Sequence, residues 1–470
     1  VTDTAADTDR YLTGFYAPVT DELVVTDLEV TGDIPAGLVG TYARNGANPA
    51  FPPRGRYHIF DGDGMIHAVT FDEDGRATYR NRWVESKGLL AERRAGRALF
   101  GGLSEFALPP PELQAEAGLF KNTANTNVIH HGGRLLALME AALPTELTPE
   151  LDTIGEYDFD GALVGPMTAH PKFDPRSGEL LFFGYSPFPP YLRFHVADAS
   201  GRLVRSVEVN AGRATMMHDF VVTERYAVFF DLPALFDLEA MMSGGAGVRW
   251  DASAGARVGV LPRDAADDSG ITWVEIEPCY VFHFLNAYDT PEGDIVVTGC
   301  RSPQLNTSFG DEPPPPEGTV PTLHRWQINP TTGTVVMEQL DDRAADFPRV
   351  SPSAESRPHR YGYLAHTALW TNDDVIMDGI TKWDLETGTE STHVYGPNHR
   401  AGEAVFAPDP DDGDEDAGWL LNFVTDMTTE TTSLVVLDAT DLGAPPVAEV
   451  RLPRRVPFGF HGNWMPGLIP

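Results

Sequence analysis

One pattern recurs along the chain and limits what it can fold into. A short apolar or aromatic strand runs into an acidic or Thr-rich turn that closes on Gly, and a second alternating strand follows. It is seen at Val69-Thr70-Phe71-Asp72-Glu73-Asp74-Gly75 and again at Phe194-His195-Val196-Ala197-Asp198-Ala199-Ser200-Gly201. It returns at Trp326-Gln327-Ile328-Asn329-Pro330-Thr331-Thr332-Gly333, at Trp383-Asp384-Leu385-Glu386-Thr387-Gly388, and more loosely from Val436-Leu437-Asp438 to Gly443. The turn glycines lie 126, 132, 55 and 55 residues apart, so the first two gaps hold two periods each. A period of about 55 to 66 residues divides the chain into about seven to eight units of short strands, the signature of β-propeller blades. No Gly/Ser linker or break in composition interrupts the series, so residues 1–470 read as one all-β propeller domain with long loops and a few short helices capping one face.

A second hairpin type fills the intervals, around Thr223-Glu224-Arg225 and around Thr290-Pro291-Glu292-Gly293. Residues 89–98 and 233–242 are expected to be helical. The Gly- and Asp-rich residues 243–268 and the tetraproline run 313–316 are expected to be solvated insertions, and the acidic residues 409–416 a hairpin tip.

The chain carries 34 Lys+Arg against 69 Asp+Glu, a net charge of −35, which argues against nucleic acid or an anionic membrane surface as partner. Its only lysines are Lys87, Lys121, Lys172 and Lys382. An acidic, Lys-poor surface suits concentrated salt, where repulsion between carboxylates is screened over about 3 Å. Cys279 and Cys300 are expected to be buried free thiols, which fits a cytoplasmic, high-salt setting. Residues 1–10 are polar and acidic, without the features of a signal peptide, and no run approaches the 18 or so apolar residues needed to span a bilayer.

Phosphate-binding Gly loops, CxxC pairs, HExxH and GxSxG are all missing, so several enzyme classes lack their sequence handles. Histidine is what remains. Of the 14, four sit beside apolar strands: Ala169-His170-Pro171, Met217-His218-Asp219, Phe282-His283-Phe284 and Phe460-His461-Gly462. Their separations of 48, 65 and 178 residues are close to one, one and three blade periods. Equivalent positions on successive blades converge on a propeller axis, so four imidazoles far apart in sequence can meet there. Neutral imidazole suits Fe, Cu, Ni or Zn; the alternative is four hydrogen-bonded core histidines.

The residues also carry a resemblance. The segment Gly40-Thr41-Tyr42-Ala43-Arg44-Asn45-Gly46-Ala47-Asn48-Pro49, followed by His58-Ile59-Phe60-Asp61-Gly62-Asp63-Gly64-Met65-Ile66-His67, is similar to the N-terminal region of the carotenoid cleavage oxygenase family. That family includes stilbene-cleaving dioxygenases and the visual-cycle retinoid isomerase. Further matches are Lys121-Asn122-Thr123-Ala124-Asn125-Thr126-Asn127, Phe347-Pro348-Arg349-Val350, Arg360-Tyr361-Gly362-Tyr363 and Phe460-His461-Gly462, all in the family's order. The resemblance implies a seven-bladed propeller with Fe(II) on its axis, held by His170, His218, His283 and His461. It implies three carboxylates behind the ligand imidazoles, which fix their tautomer and orientation. Glu140 and Glu403 match two of these. At the third the chain has Asp346 where Glu is expected, and the shorter arm predicts a contact through water or none.

The reaction so implied is oxidative scission of an alkene C=C of a carotenoid or apocarotenoid by O₂ into two carbonyl products, without nicotinamide, flavin or pterin. Stilbene-cleaving members hold the 4-hydroxyl of a phenolic substrate with a Lys and a Tyr. Lys121 is the substrate-binding candidate, but no Tyr occurs between Tyr79 and Tyr157, and Gly88 or Leu89 stands where the partner is sought. The balance therefore favours a carotenoid or apocarotenoid over a stilbenoid. A retinoid isomerohydrolase is a more distant alternative, and a non-catalytic propeller scaffold is the alternative from another class. Residues 89–113 carry enough Leu and Phe to form an apolar patch for peripheral membrane contact.

Overall fold

The computed structural model describes residues 9–307 and 314–470. Seven sheets of four or more strands are arranged as blades. The first joins both ends of the chain: Val24–Val25, Ala77–Trp83, Gly64–Phe71 and Gly40–Ala47 run inward to Gly462–Pro466, which pairs with Gly40–Ala47 from Gly40↔Pro466 to Arg44↔Gly462. The seventh takes the early strand Val30–Gly32 onto its outer edge, beside Ala448–Arg451. Closure is thus made twice, and both joints bury backbone that an open ring would leave as unpaired edges.

The turn residues explain the repeat. Asp72, Asp198 and Asp384 each use a carboxylate oxygen to accept backbone N–H groups two to four residues ahead, and Asn329 does the same with its amide oxygen. Such side chains replace the missing ladder partner at the hairpin tip. Gly75, Gly201, Gly333 and Gly388 follow with φ between 68° and 83°, a region open to Gly without steric cost.

Between blades the core is aromatic. Phe183, Phe194, Phe220, Phe229, Phe230 and Trp326 are each at most 2 % exposed, and Phe220 stacks on Phe229 at 5.8 Å. Cys279 and Cys300 are free and buried, as expected.

Two local expectations change. The two expected helices span Lys87–Ala95 and Leu238–Met242, the second starting late because residues 234–236 pair as a small strand with Val248–Trp250. Residues 243–268 are not a solvated insertion: Ala256–Pro262 is a central strand of the fourth blade, with Val258, Val260 and Leu261 buried. The alternating apolar residues of that strand outweigh the Gly and Asp around it. Of the tetraproline run, Pro313 lies outside the described residues. Residues 409–416 do form a hairpin tip, between Val405–Pro408 and Gly418–Asp426.

His195 in the third blade gives the fold a dependence on acid. It is 1 % exposed, its Nδ1 is 2.8 Å from Ser206 Oγ, and its Nε2 has no hydrogen-bond partner. Burial, with a smaller push from Arg193, lowers its pKa to about 4. The folded state keeps it neutral while the unfolded chain takes up a proton near pH 6.5, so its contribution is present above that pH and is lost as pH falls toward 4. Between pH 7 and pH 5 this one residue accounts for about 2 kcal/mol. The stability difference between those pH values, read from denaturant melts, is expected to shrink by that amount in His195→Gln; an unchanged difference would refute the assignment.

Candidate metal centre

Four blades each deliver one histidine to the axis. His170 lies two residues before the inner strand Lys172–Phe173 of the third blade, and His218 three before Val221–Val222 of the fourth. His283 lies within Tyr280–Asp289 of the fifth, and His461 directly precedes Gly462–Pro466 of the first. The blade steps are therefore one, one and three, as the spacings imply. One ligand nitrogen from each lies within 4.8 Å of the others, and His170 Nε2 is 2.9 Å from His218 Nε2. A single first-row ion bound at about 2.1 Å needs neighbouring nitrogens about 3 Å apart, so the spacing fits one ion.

Three of the rings are aimed from behind. His218 Nδ1 donates to Glu140 at 2.6 Å, His283 Nδ1 to Asp346 at 2.7 Å, and His461 Nδ1 to Glu403 at 2.9 Å. A proton fixed on Nδ1 leaves the Nε2 lone pair pointing inward, the tautomer that a metal ligand requires. His283 Nε2 is buried without any hydrogen-bond partner, an orphan that a cation at the centre would satisfy.

Asp346 corrects an expectation, since it reaches His283 directly. It sits in the inner strand Ala345–Arg349 of the sixth blade, and the register slips between Asp346 and Arg349, with Phe347 at φ 52°. That irregularity carries the shorter carboxylate toward the axis, where Oδ1 also accepts the Phe347 N–H at 2.8 Å.

Charge in the cluster is compensated locally. Burial lowers the pKa of His170 well below the ordinary range, with help from the other three imidazoles, and lowers that of His461 to about 4 despite Glu403. Burial also acts to lower His283, but Asp346 outweighs it and the net direction is up. Burial raises Glu403, yet Arg349, His461 and the Gly462 N–H hold it down at about 2. Arg349 Nε lies 3.0 Å from Glu403 Oε1, and Nη2 also donates to the Gly462 carbonyl. Sequence reasoning gave no role to Arg349, although it stands in the Phe347-Pro348-Arg349 match, nor to Tyr185, whose hydroxyl donates to Glu140 at 2.7 Å. A fixed cation so close to a ligand's carboxylate partner is visible only in three dimensions.

A cavity of about 780 Å³ opens onto the histidines. His218, His283 and His461 form part of its wall, with Phe282, Phe347 and Phe460 around them. Phe347 stacks on His283 at 5.1 Å, and Phe282 meets His218 edge-on at 5.1 Å. Leu103, Leu119 and Phe120 also line the cavity and are 42 to 62 % exposed, so apolar side chains reach solvent there. Among the described residues no helix is long and apolar enough to cross a membrane.

Lys121 also reaches the cavity wall, away from the imidazoles' hydrogen-bond network. Its Nζ lies 2.7 Å from Asp63 and 2.6 Å from Glu92, both carboxylates nearly fully buried. The lysine stem packs over Gly88, where an added Cβ would meet Lys121 Cγ at 2.9 Å. A tyrosine at that position would have to displace the lysine it was expected to assist.

Comparison with known proteins agrees with this architecture. The family profile described as retinal pigment epithelial membrane protein matches residues 16–466. The chain is 37 % identical to a carotenoid cleavage oxygenase of Mycobacterium tuberculosis, over 97 % of each chain. It is 38 % identical to a carotenoid 9,10(9',10')-cleavage dioxygenase of Crocus sativus, over 96 % of this chain and 88 % of that one. The lignostilbene dioxygenase structure from Pseudomonas brassicacearum superposes with a TM-score of 0.90 at 32 % identity, covering 97 % of this chain and 98 % of that one. With its seven blades and axial histidines, the chain belongs to the carotenoid cleavage oxygenase family.

Proposed function

We propose that the protein is a non-haem Fe(II) dioxygenase that cleaves one C=C bond of a carotenoid or apocarotenoid, giving two carbonyl products. The observation that carries this reading is the opening of a four-imidazole cluster onto a large aromatic-walled cavity. His170, His218, His283 and His461 would hold the iron, which when bound supplies the means to activate O₂. Both oxygen atoms are accounted for by the two new C=O groups, so no external reductant is needed.

The chain's own part is placement. Glu140, Asp346 and Glu403 keep three ligand rings in the metal-binding tautomer, and their charge offsets that of a divalent ion. Phe282, Phe347 and Phe460 form an apolar wall that can hold an extended apolar chain by contact area. Leu103, Leu119 and Phe120 offer such a substrate an apolar route from solvent or a lipid surface. The acidic, Lys-poor composition supports work in a high-salt cytoplasm.

A stilbenoid substrate is the second reading, supported by the close superposition on a lignostilbene dioxygenase. Against it, Lys121 is engaged by two carboxylates, and Gly88 packs on its stem where the partner tyrosine was sought. Product analysis separates the two. Fe(II)-loaded protein in molar salt and air, given an apocarotenal in one vessel and a 4-hydroxystilbene in another, is expected to release aldehydes from the apocarotenal. Aldehydes from the stilbene alone would reverse the assignment, and iron-replete protein that cleaves neither would overturn it.

A further inference from the structure

Outside the cavity lining, one buried carboxylate joins three of the four ligand-bearing segments. Asp219 follows His218 directly and is 3 % exposed. Its Oδ1 lies 2.9 Å from Nζ of Lys172, two residues after His170, and accepts the Phe220 N–H at 2.8 Å. Its Oδ2 accepts the N–H of Phe284, the residue after His283, at 2.9 Å. Neither Lys172 nor Asp219 lines the cavity. The fourth segment is tied in by Asn127, whose Nδ2 donates to the Ala169 carbonyl at 2.7 Å and whose Oδ1 accepts from Asn463 at 3.0 Å.

We propose that Asp219, held by Lys172, is a positioning residue that sets the relative placement of His170, His218 and His283 and so tunes the metal site. The chemistry requires a carboxylate. Both oxygens accept at once, from one ammonium and two backbone N–H groups that come from three different blades. An amide offers a single acceptor oxygen, and its NH₂ would face one of those donors. The link matters most to His170, the one ligand for which no carboxylate partner on the ring is seen among the described residues; its lateral position depends on the backbone that Lys172 anchors. Displacing one ligand by a fraction of an ångström changes what a rigid four-nitrogen site binds.

The inference rests on the metal reading above, and the test keeps the two apart. Cobalt(II) is titrated against a competing chelator into wild type, Asp219→Asn, Lys172→Met and Lys172→Arg, with the visible cobalt spectrum and the melting curve of the metal-free protein recorded for each. Asp231→Asn is the control, because Asp231 is fully buried and bonds to Arg213, Arg257 and Thr215, none of them within two positions of a ligand histidine. Asp219→Asn and Lys172→Met are expected to bind cobalt about 10- to 100-fold more weakly with altered bands, Lys172→Arg to recover most of the affinity, and Asp231→Asn to lower only the melting temperature. Unchanged affinity and bands in Asp219→Asn and Lys172→Met, with a loss of stability like that of the control, would overturn the proposal. Should Asp219→Asn fail to fold, Lys172→Met and its Arg rescue decide alone. Wild type that takes up no cobalt would sink the metal reading, and this inference with it.

Discussion

His461→Ala is expected to lose bound iron and catalytic turnover together while the propeller stays folded. The imidazole is one of four donors, and no carboxylate or thiol among the described residues joins the cluster to replace it. Removing it does not strand its partner, because Glu403 keeps Arg349 and the Gly462 N–H. The first blade's closing strand also keeps its ladder with Gly40–Ala47. Activity should fall to the uncatalysed background, a drop that for enzymes is roughly 10⁶-fold or more. The check is iron per chain by elemental analysis, product formation, and a melting curve taken on the same preparation. His283→Ala makes a useful contrast: it leaves the buried Asp346 with only a backbone N–H at Oδ1, so it should cost stability as well as metal. Full activity in the iron-free His461 variant would refute the metal reading.

Lys121→Met is expected to be among the most destabilising single changes in the molecule. Asp63 and Glu92 are 4 % and 2 % exposed at their side chains, and the lysine is their shared cation. Burial disfavours the charged ammonium, yet the two carboxylates more than compensate and raise its pKa. Removing the cation leaves two carboxylates facing each other out of water, a situation that costs about 3–5 kcal/mol in comparable buried pairs. Glu92 is on the helix Lys87–Ala95 and Asp63 precedes the strand Gly64–Phe71, so the damage should centre on the junction of cap and first blade. The double variant Lys121→Met/Glu92→Gln should regain part of the loss, because it removes one of the two stranded charges. Denaturant melts of the single and double variants test this. A single variant within about 1 kcal/mol of wild type would refute the lysine's role as the cation that neutralises the two carboxylates.

How much was legible in the chain follows from the range of the physics involved. Hairpin tips such as Asp384-Leu385-Glu386-Thr387-Gly388 are local: an Asx side chain and a Gly at positive φ act over five residues, so the repeat and its period could be read directly, to about seven to eight units, and the family resemblance made the count seven. The strand Ala256–Pro262 was hidden because Gly and Asp on either side dominate composition over a window wider than the strand itself. The identities of the four histidines were within reach because blade spacing and family resemblance selected the same residues. Asp346 could be named as a candidate, but its contact could not be judged from the length of its side chain. Its reach depends on a slipped register and on Phe347 at φ 52°, which are properties of the sixth blade as a whole.

The sequence by itself determined the all-β repeat and, with the family resemblance, the four histidines that converge on the axis, since these rest on local turns, spacing and motifs. Only the tertiary structure decided that Asp346 touches His283 directly, that Lys121 is neutralised by Asp63 and Glu92, and that Asp219 links three ligand segments. Each of those contacts joins residues 29 to 65 positions apart, and their geometry is set by how whole blades pack against one another. A hydrogen bond is made or lost within a few tenths of an ångström, and no local pattern in the chain specifies a distance that finely.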